Sequence, residues 1–220
     1  MIIVIGGEKG GTGKTTICTN IASIMTREGS DLLIIDTDKQ GSASAWSALR
    51  DENTQVKRIP CIQKFGSTIA TEINDLRKRY DDIIIDAGGR DSVELRGAMA
   101  VADIIYIPIQ ASQFDVWTLG AMDSLLTQAT TFNARLKAIA VINRASTNPS
   151  VSETKETIEI FEDFKNLRLS NCIIRDRIVY RKAARSGLAV DELENSDSKA
   201  RDEIKSLLRE LREHAEKIAA

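Results

Sequence analysis

The stretch IIVIGGEKGGTGKTT at residues 2–16 decides the fold of this chain. Its first four residues form an apolar run typical of a buried strand, a glycine-rich turn follows, and a helix is predicted from Lys14 onward. In such a strand–turn–helix unit, backbone N–H groups surround one concavity that suits a phosphate group. We expect Lys14 to place its charge on the β- and γ-phosphates of a nucleotide and the Thr15 hydroxyl to bind Mg²⁺. The other residues predicted to form this phosphate loop are Gly10, Gly11, Thr12, Gly13 and Thr16.

Short runs rich in Ile and Val alternate with longer helical patterns along the rest of the chain. The runs show almost no polar alternation, which is typical of strands buried on both faces of a parallel sheet. The predicted strands are 2–5, 32–36, 56–59, 83–86, 104–109, 138–142 and 170–174. The predicted helices lie near 14–28, 41–50, 67–80, 92–101, 115–131, 151–165, 178–186 and 197–218. This order predicts an α/β fold, a doubly wound and mainly parallel sheet with helices on both faces.

Two further strands are predicted to end in carboxylates at the edge of the sheet where the phosphate loop lies. One ends in Asp36-Thr37-Asp38 and the other ends at Asp86. Ligands of such sheets bind beyond the carboxyl ends of the strands. We assign Asp86 to the magnesium shell, and Asp36 to the magnesium shell and to positioning of the attacking water, with Asp38 assisting. The sequence leaves the division of roles between Asp36 and Asp38 open. The glycines at 88–89 predict a loop that ATP orders and hydrolysis releases.

Composition excludes several classes of protein. The chain has 220 residues and a net charge of −2, so no bulk attraction to nucleic acid exists and any DNA contact needs a local basic patch. Its three cysteines are far apart and lack metal-ligand spacing. No apolar run approaches the length of a membrane span. We therefore expect one domain over residues 1–220 in a reducing cytoplasm.

One local charge asymmetry stands out. Residues 168–185 carry six basic side chains and a single acid, although the chain as a whole is slightly acidic. Such a segment can bind DNA phosphates without reading bases, although a solvated helix face or a contact with a second subunit has the same appearance. The candidate DNA-binding residues are Arg175, Arg177, Arg181, Lys182 and Arg185.

The predicted last helix carries an apolar stripe, and its other side mixes acidic and basic residues. A helix that lies on a membrane surface would pair such a stripe with a mainly basic face. We therefore predict that this helix packs on the sheet. The stripe consists of Ile204, Leu207, Leu208, Leu211, Ala215 and Ile218.

The phosphate loop departs from the usual pattern, because Glu8 stands where glycine is expected and Lys9 adds a second lysine. This arrangement resembles the deviant Walker A box of the ParA/MinD family, which belongs to the SIMIBI class of P-loop NTPases. The resemblance implies ATP and Mg²⁺ as cofactors and a sandwich dimer in which Lys9 reaches the nucleotide of the partner subunit. It also implies that Asn143 contacts the adenine edge. Lys39 and Gly88 replace the prolines usual in the family, and the latter change should loosen the loop after Asp86.

The chain is most similar to the small partition ATPases of plasmids, of the ParF-like kind (type Ib). The immediate start at the phosphate-loop strand carries this resemblance, together with Gln40, Ser42 and Trp46 after the Asp-Thr-Asp segment. It implies a weak ATPase whose ATP-bound homodimer binds nonspecific DNA of the nucleoid in the cytoplasm, without membrane contact. A small ParB/ParG-like centromere-binding protein would stimulate hydrolysis and thereby drive plasmid partition.

Three other readings remain open. The same cycle could position a chromosomal or protein cargo, or the chain could be a MinD-like membrane ATPase, which the mixed charge of the last helix opposes. From a different class, it could be a P-loop kinase or ligase that phosphorylates a small molecule. Lys9 argues against that reading, because such enzymes work within one subunit.

Overall fold

The computed structural model describes residues 1–111, 113–148, 161 and 164–219. Its strands are β1 (Ile2–Ile5), β2 (Leu32–Asp36), β3 (Cys61–Gln63), β4 (Asp82–Asp86), β5 (Ile104–Ile109), β6 (Lys137–Ala145) and β7 (Arg168–Arg175). Its helices are α1 (Lys14–Arg27), α2 (Ser42–Asp51), α3 (Ile69–Leu76), α4 (Val93–Val101), α5 (Gln113–Phe132), α6 (Ile178–Ala184) and α7 (Ser198–Ala219). The helix predicted at 151–165 lies almost entirely outside the described residues.

The seven strands form one sheet in the order β3-β2-β4-β1-β5-β6-β7, and every neighbouring pair is parallel. The register aligns the carboxyl ends of the central strands, because Asp86 lies opposite both Ile5 and Asp36. The turn after β1 therefore meets the ends of β2 and β4 at one edge. The predicted doubly wound fold is confirmed. The carboxyl ends of its central strands lie where such sheets bind ligands.

Both faces of the sheet carry an apolar core, which explains why the strands lack polar alternation. Along β1, Ile2 and Val4 belong to a core with side chains of α3, α4 and α5. Ile3 and Ile5 belong to the opposite core, which α1, α2, α6 and α7 cover. The α7 stripe is part of that second core, as Ile204, Leu207, Leu208 and Leu211 are all buried. Helix α7 thus packs on the sheet as predicted.

The strand predicted at 56–59 was wrong, because the edge strand is Cys61–Gln63. Two side chains of α2 donate hydrogen bonds to carbonyl groups of the predicted segment. Ser47 Oγ donates to Ile59 O at 2.8 Å, and Arg50 Nε donates to Lys57 O at 2.7 Å. Pairing with β2 begins at the Pro60 carbonyl, which accepts the Ile34 N–H at 2.9 Å. The segment before Pro60 is therefore bound to α2, and the strand starts after it.

Candidate functional site

The carboxyl edge of the sheet surrounds a cavity of about 590 Å³. The phosphate loop forms its centre, and the segments after β2 and β4 form one side. Phe65 from the loop after β3 extends that side, and Arg144 from the end of β6 lies on the other. The cavity thus spans the strands that the register aligns, and its dimensions suit a nucleotide-sized ligand.

Close packing explains two glycines of this site. A Cβ on Gly13, whose φ is 90°, would lie 2.3 Å from Asn143 Nδ2. A Cβ on Gly89 would lie 2.7 Å from Gly10 Cα, so the loop after β4 lies directly on the phosphate loop. A side chain at either position would force these segments apart, and the site needs both close approaches.

Lys14 directs its ammonium group into the phosphate loop. Its Nζ donates to the carbonyl of Lys9 at 2.8 Å, and the side chain is buried. Burial lowers the pKa of Lys14, and the charges of Asp86 and Asp38 oppose that shift. Among the described residues, Lys14 lines the cavity and Lys9 does not, because Lys9 borders a separate small crevice with Ile109. Only one of the two loop lysines therefore lines this cavity.

Thr15 lines the cavity and is hydrogen-bonded to the buried carboxylate of Asp86. Thr15 Oγ1 donates to Asp86 Oδ2 at 2.6 Å, while Asp86 Oδ1 is buried without a hydrogen-bond partner in the described part of the chain. Burial raises the pKa of Asp86 to about 7; the Thr15 hydrogen bond opposes this and the charge of Asp36 adds to it. A buried carboxylate oxygen without a partner beside a threonine hydroxyl suits Mg²⁺, which uses few protein ligands and fills its shell with phosphates and water.

The structure separates the two aspartates of the Asp-Thr-Asp segment. Asp36 is fully buried, and its Oδ2 accepts Ser44 N at 2.9 Å and Ser44 Oγ at 3.0 Å, while its Oδ1 accepts Asp38 N at 3.1 Å. It therefore caps the first turn of α2. Asp38 is half-buried and lines the cavity. This geometry favours Asp38 for contact with a ligand, because Asp38 lines the cavity and both oxygens of Asp36 are hydrogen-bonded within the fold.

Asn143 lies beneath the phosphate loop. Its Nδ2 donates to Thr12 O at 2.6 Å and its side chain is buried, so the amide supports the loop from the end of β6. This differs from the expected contact with adenine. The next residue, Arg144, is exposed and lines the cavity.

The basic segment divides into a buried part and an exposed part. Arg177 belongs to the fold: its Nη2 lies 2.8 Å from Glu203 Oε1 and its Nη1 lies 3.4 Å from Asp197 Oδ2. Arg175 is half-buried and donates to the carbonyl of Ser146. Both guanidinium groups are half-buried and already partnered within the fold, so we leave both out of the candidate interface.

The exposed part of that segment forms one face of α6. Arg181, Lys182 and Arg185 are exposed, and the exposed apolar side chain of Ile178 continues the same face at helical spacing. Within the described residues, Arg181 pairs only with the exposed Asp176, at 2.9 Å. We keep these three cations as the candidate nucleic-acid interface.

Several residues that line the cavity were not predicted from the sequence, among them Lys39, Phe65, Arg90 and Arg144. Lys39 and Arg90 directly follow motifs that the sequence identified, so adjacency to Asp38 and to Gly89 was the available signal. Phe65 and Arg144 reach the site through a short edge strand and through a distorted strand end. Adjacency to Asn143 was a signal for Arg144, whereas no sequence pattern indicates Phe65.

Among the described residues, we find no helix with the length and apolarity that crossing a bilayer requires.

Comparisons with known proteins agree with this geometry. The family model for the CobQ/CobB/MinD/ParA nucleotide binding domain matches residues 3–190. The maintenance of carboxysome distribution protein A of Halothiobacillus neapolitanus is 27% identical over 210 residues, which cover 95% of each chain.

Two solved structures share the fold. Apo McdA of Cyanothece has a TM-score of 0.75 at 15% identity, over 95% of this chain and 98% of that one. A plasmid partition protein of Borrelia burgdorferi bound to AMPPNP has a TM-score of 0.68 at 21% identity, over 98% of both chains. The extent of the family match and the geometry of the phosphate loop agree: the chain is a ParA-like member of the CobQ/CobB/MinD/ParA nucleotide-binding domain family, with its α/β P-loop fold.

Proposed function

We propose that this chain is a one-domain ATPase in which ATP joins two subunits face to face. The observation that carries the proposal is the placement of the two loop lysines. Lys14 already supplies a cation to the cavity of its own subunit, whereas Lys9 lies on the same loop outside that cavity. In a sandwich dimer, Lys9 would serve the nucleotide of the partner subunit, and hydrolysis would therefore depend on dimer formation.

Each residue at the site has a role that its position supports. Lys14 and the phosphate-loop amides bind the β- and γ-phosphates. Thr15 and Asp86 would hold Mg²⁺, which neutralises charge on the transferring phosphoryl group when it is bound. Asp38 orients the attacking water, since it is the carboxylate that a ligand can reach. Asp36 holds the start of α2 in place through Ser44 and positions Asp38 through its backbone N–H.

The exposed face of α6 is the proposed DNA contact. Three cations on one face can bind the phosphate backbone without sequence preference. Helix α6 follows β7 directly, so it begins at the same carboxyl edge as the nucleotide site. Formation of the dimer would bring two such faces into one particle and raise its affinity for DNA by adding a second contact.

For the biological role we propose plasmid partition, with a small centromere-binding protein that stimulates hydrolysis and with the ATP-bound dimer on the nucleoid. The similar plasmid partition protein of Borrelia burgdorferi supports this choice. The similarity to a carboxysome distribution protein favours a second candidate, the positioning of a protein cargo by the same cycle. Loss of a test plasmid after deletion of the gene would support partition, and retained plasmids with misplaced protein particles would support the second role.

DNA binding can be tested with a charge-matched pair of double variants. Arg181→Glu with Arg185→Glu should abolish ATP-dependent binding to a duplex of arbitrary sequence and leave ATP turnover without DNA unchanged. Arg135→Glu with Lys137→Glu makes the same change in charge at the opposite edge of the sheet and should retain DNA binding. Equal loss of DNA binding in both double variants would show that the effect comes from net charge alone. Unaltered binding in the first would reject α6 as the contact.

A further inference from the structure

Arg144 has an unusual backbone for a residue with a side chain. Its φ is 54°, and it is the one residue other than glycine with positive φ in the described part of the chain. A Cβ makes this left-handed conformation unfavourable. Such conformations persist where the surrounding structure enforces them, and they concentrate at ligand sites.

An irregularity in β6 produces this conformation. The register between β6 and β7 shifts between Ile142 and Ala145, and such bulges redirect side chains. The two residues within the shift point in different directions: Asn143 donates to Thr12 O beneath the phosphate loop, and Arg144 is exposed at the cavity. Arg144 Nε lies 3.9 Å from the position that a Cβ on Gly13 would occupy.

The guanidinium of Arg144 has no hydrogen-bond or ion-pair partner among residues 1–111, 113–148, 161 and 164–219, although it lies beside the phosphate loop. Its position within the sheet indicates which part of a nucleotide it can reach. Asp38 and Asp86 follow β2 and β4 on one side of β1, and Arg144 ends β6 on the other side. The magnesium and γ-phosphate end of the cavity therefore lies away from Arg144, which borders the nucleoside end.

We propose that Arg144 binds the nucleoside part of the nucleotide, with its planar guanidinium stacked on the purine base. Guanidinium groups stack on aromatic faces, which an ammonium group does not do equally well. This inference rests on the proposed nucleotide binding. It assigns recognition of the base to a residue whose backbone strain holds the side chain over the site.

Two substitutions separate the side chain from its backbone. Arg144→Asn removes the guanidinium and retains a residue that tolerates the left-handed conformation, while Arg144→Gly also relieves the strain. Both should weaken ADP and AMPPNP by the same factor, about tenfold. In the absence of nucleotide, the melting temperature of Arg144→Gly should rise by about 2 °C, because the strain is gone. Arg144→Lys should remain as weak as Arg144→Asn.

Isothermal titration with ADP and with AMPPNP measures these affinities, and Arg135→Asn serves as a control with an exposed arginine far from the cavity. Unchanged ADP affinity in Arg144→Asn overturns the inference. So does a loss confined to AMPPNP, or full recovery in Arg144→Lys, since either result indicates a phosphate contact. Failure of the wild-type protein to bind any nucleotide would instead reject the proposed function.

Discussion

Two arginines at opposite ends of the burial scale show how this molecule uses charge. Arg50 on α2 is buried and makes four hydrogen bonds, one to Lys57 O, one to Gly187 O and two to the carboxylate of Glu192. Its guanidinium also lies 5.2 Å from the centre of the Trp46 ring. Arg144 at the cavity has none of these partners within the described ranges.

The contrast extends beyond these two residues. Around Arg50, the charges satisfy one another and connect α2 to the chain just before α7. Around the cavity, Arg90 and Arg144 lack partners in the part of the chain that the structure describes, and Asp86 keeps a buried oxygen without a hydrogen bond. In these two regions, partnered charge supports the fold, and charge without a partner lies at the cavity where a ligand is expected.

The largest effect should come from the partnered region. Glu192→Gln removes the charge that compensates Arg50 and leaves a buried cation, so the free energy of unfolding should fall by about 3 kcal/mol or more. Urea denaturation measures this change, and nucleotide affinity of the folded fraction should stay the same. The exposed Glu213→Gln is the control and should shift stability by less than about 0.5 kcal/mol. Equal stability in the two variants would break the comparison on its structural side.

Asp86 should behave in the opposite way. Its pKa is raised to about 7 in the folded protein, so between pH 4 and 7 the folded state holds a proton that the unfolded state releases. Stability without nucleotide and Mg²⁺ should therefore fall as pH rises across that range, by about 3 kcal/mol. Asp86→Asn should lack this decline and also lose Mg²⁺-dependent nucleotide binding. If the stability of both proteins changed with pH in the same way, the raised pKa of Asp86 in the folded protein would be contradicted.

The smallest effects should distinguish two arginines of the basic segment. Arg177→Gln breaks half-buried pairs with Glu203 and Asp197 and should lower stability by about 1–2 kcal/mol, with unchanged affinity of the folded protein for DNA. Arg181→Gln breaks only an exposed pair and should leave stability within about 0.5 kcal/mol. It should reduce the salt dependence of DNA binding by about one unit of slope. A reversal of these two patterns would contradict the division of the segment.

The sequence predicted what depends on local pattern. The apolar run before the phosphate loop, the alternation of strands and helices, and the carboxylates at strand ends all follow from periodicity and adjacency. Periodicity also placed the apolar stripe of α7 on the sheet.

Long-range partners account for what the sequence missed. The sequence favoured Asp36 as the ligand, but Ser44 donates two hydrogen bonds to its Oδ2 and the Asp38 N–H donates to its Oδ1. The sequence predicted that Arg177 contacts DNA, but its guanidinium donates a hydrogen bond to Glu203. The edge strand begins after Pro60, and not at residue 56 as predicted, because side chains of α2 donate hydrogen bonds to the carbonyl groups before Pro60. Each difference depends on a side-chain contact between two elements, which the periodicity within one element does not indicate.

The proposed joining of two subunits by ATP rests on Lys9, and the mass of the protein in solution tests it most directly. Light scattering should give a monomer with ADP and a dimer with AMPPNP and Mg²⁺. Lys9→Ala should stay monomeric in both conditions. It should still bind AMPPNP, because the variant retains Lys14 and the backbone carbonyl of residue 9 that Lys14 contacts. A dimer of Lys9→Ala with AMPPNP, or a wild-type mass that ignores the nucleotide, would contradict this account.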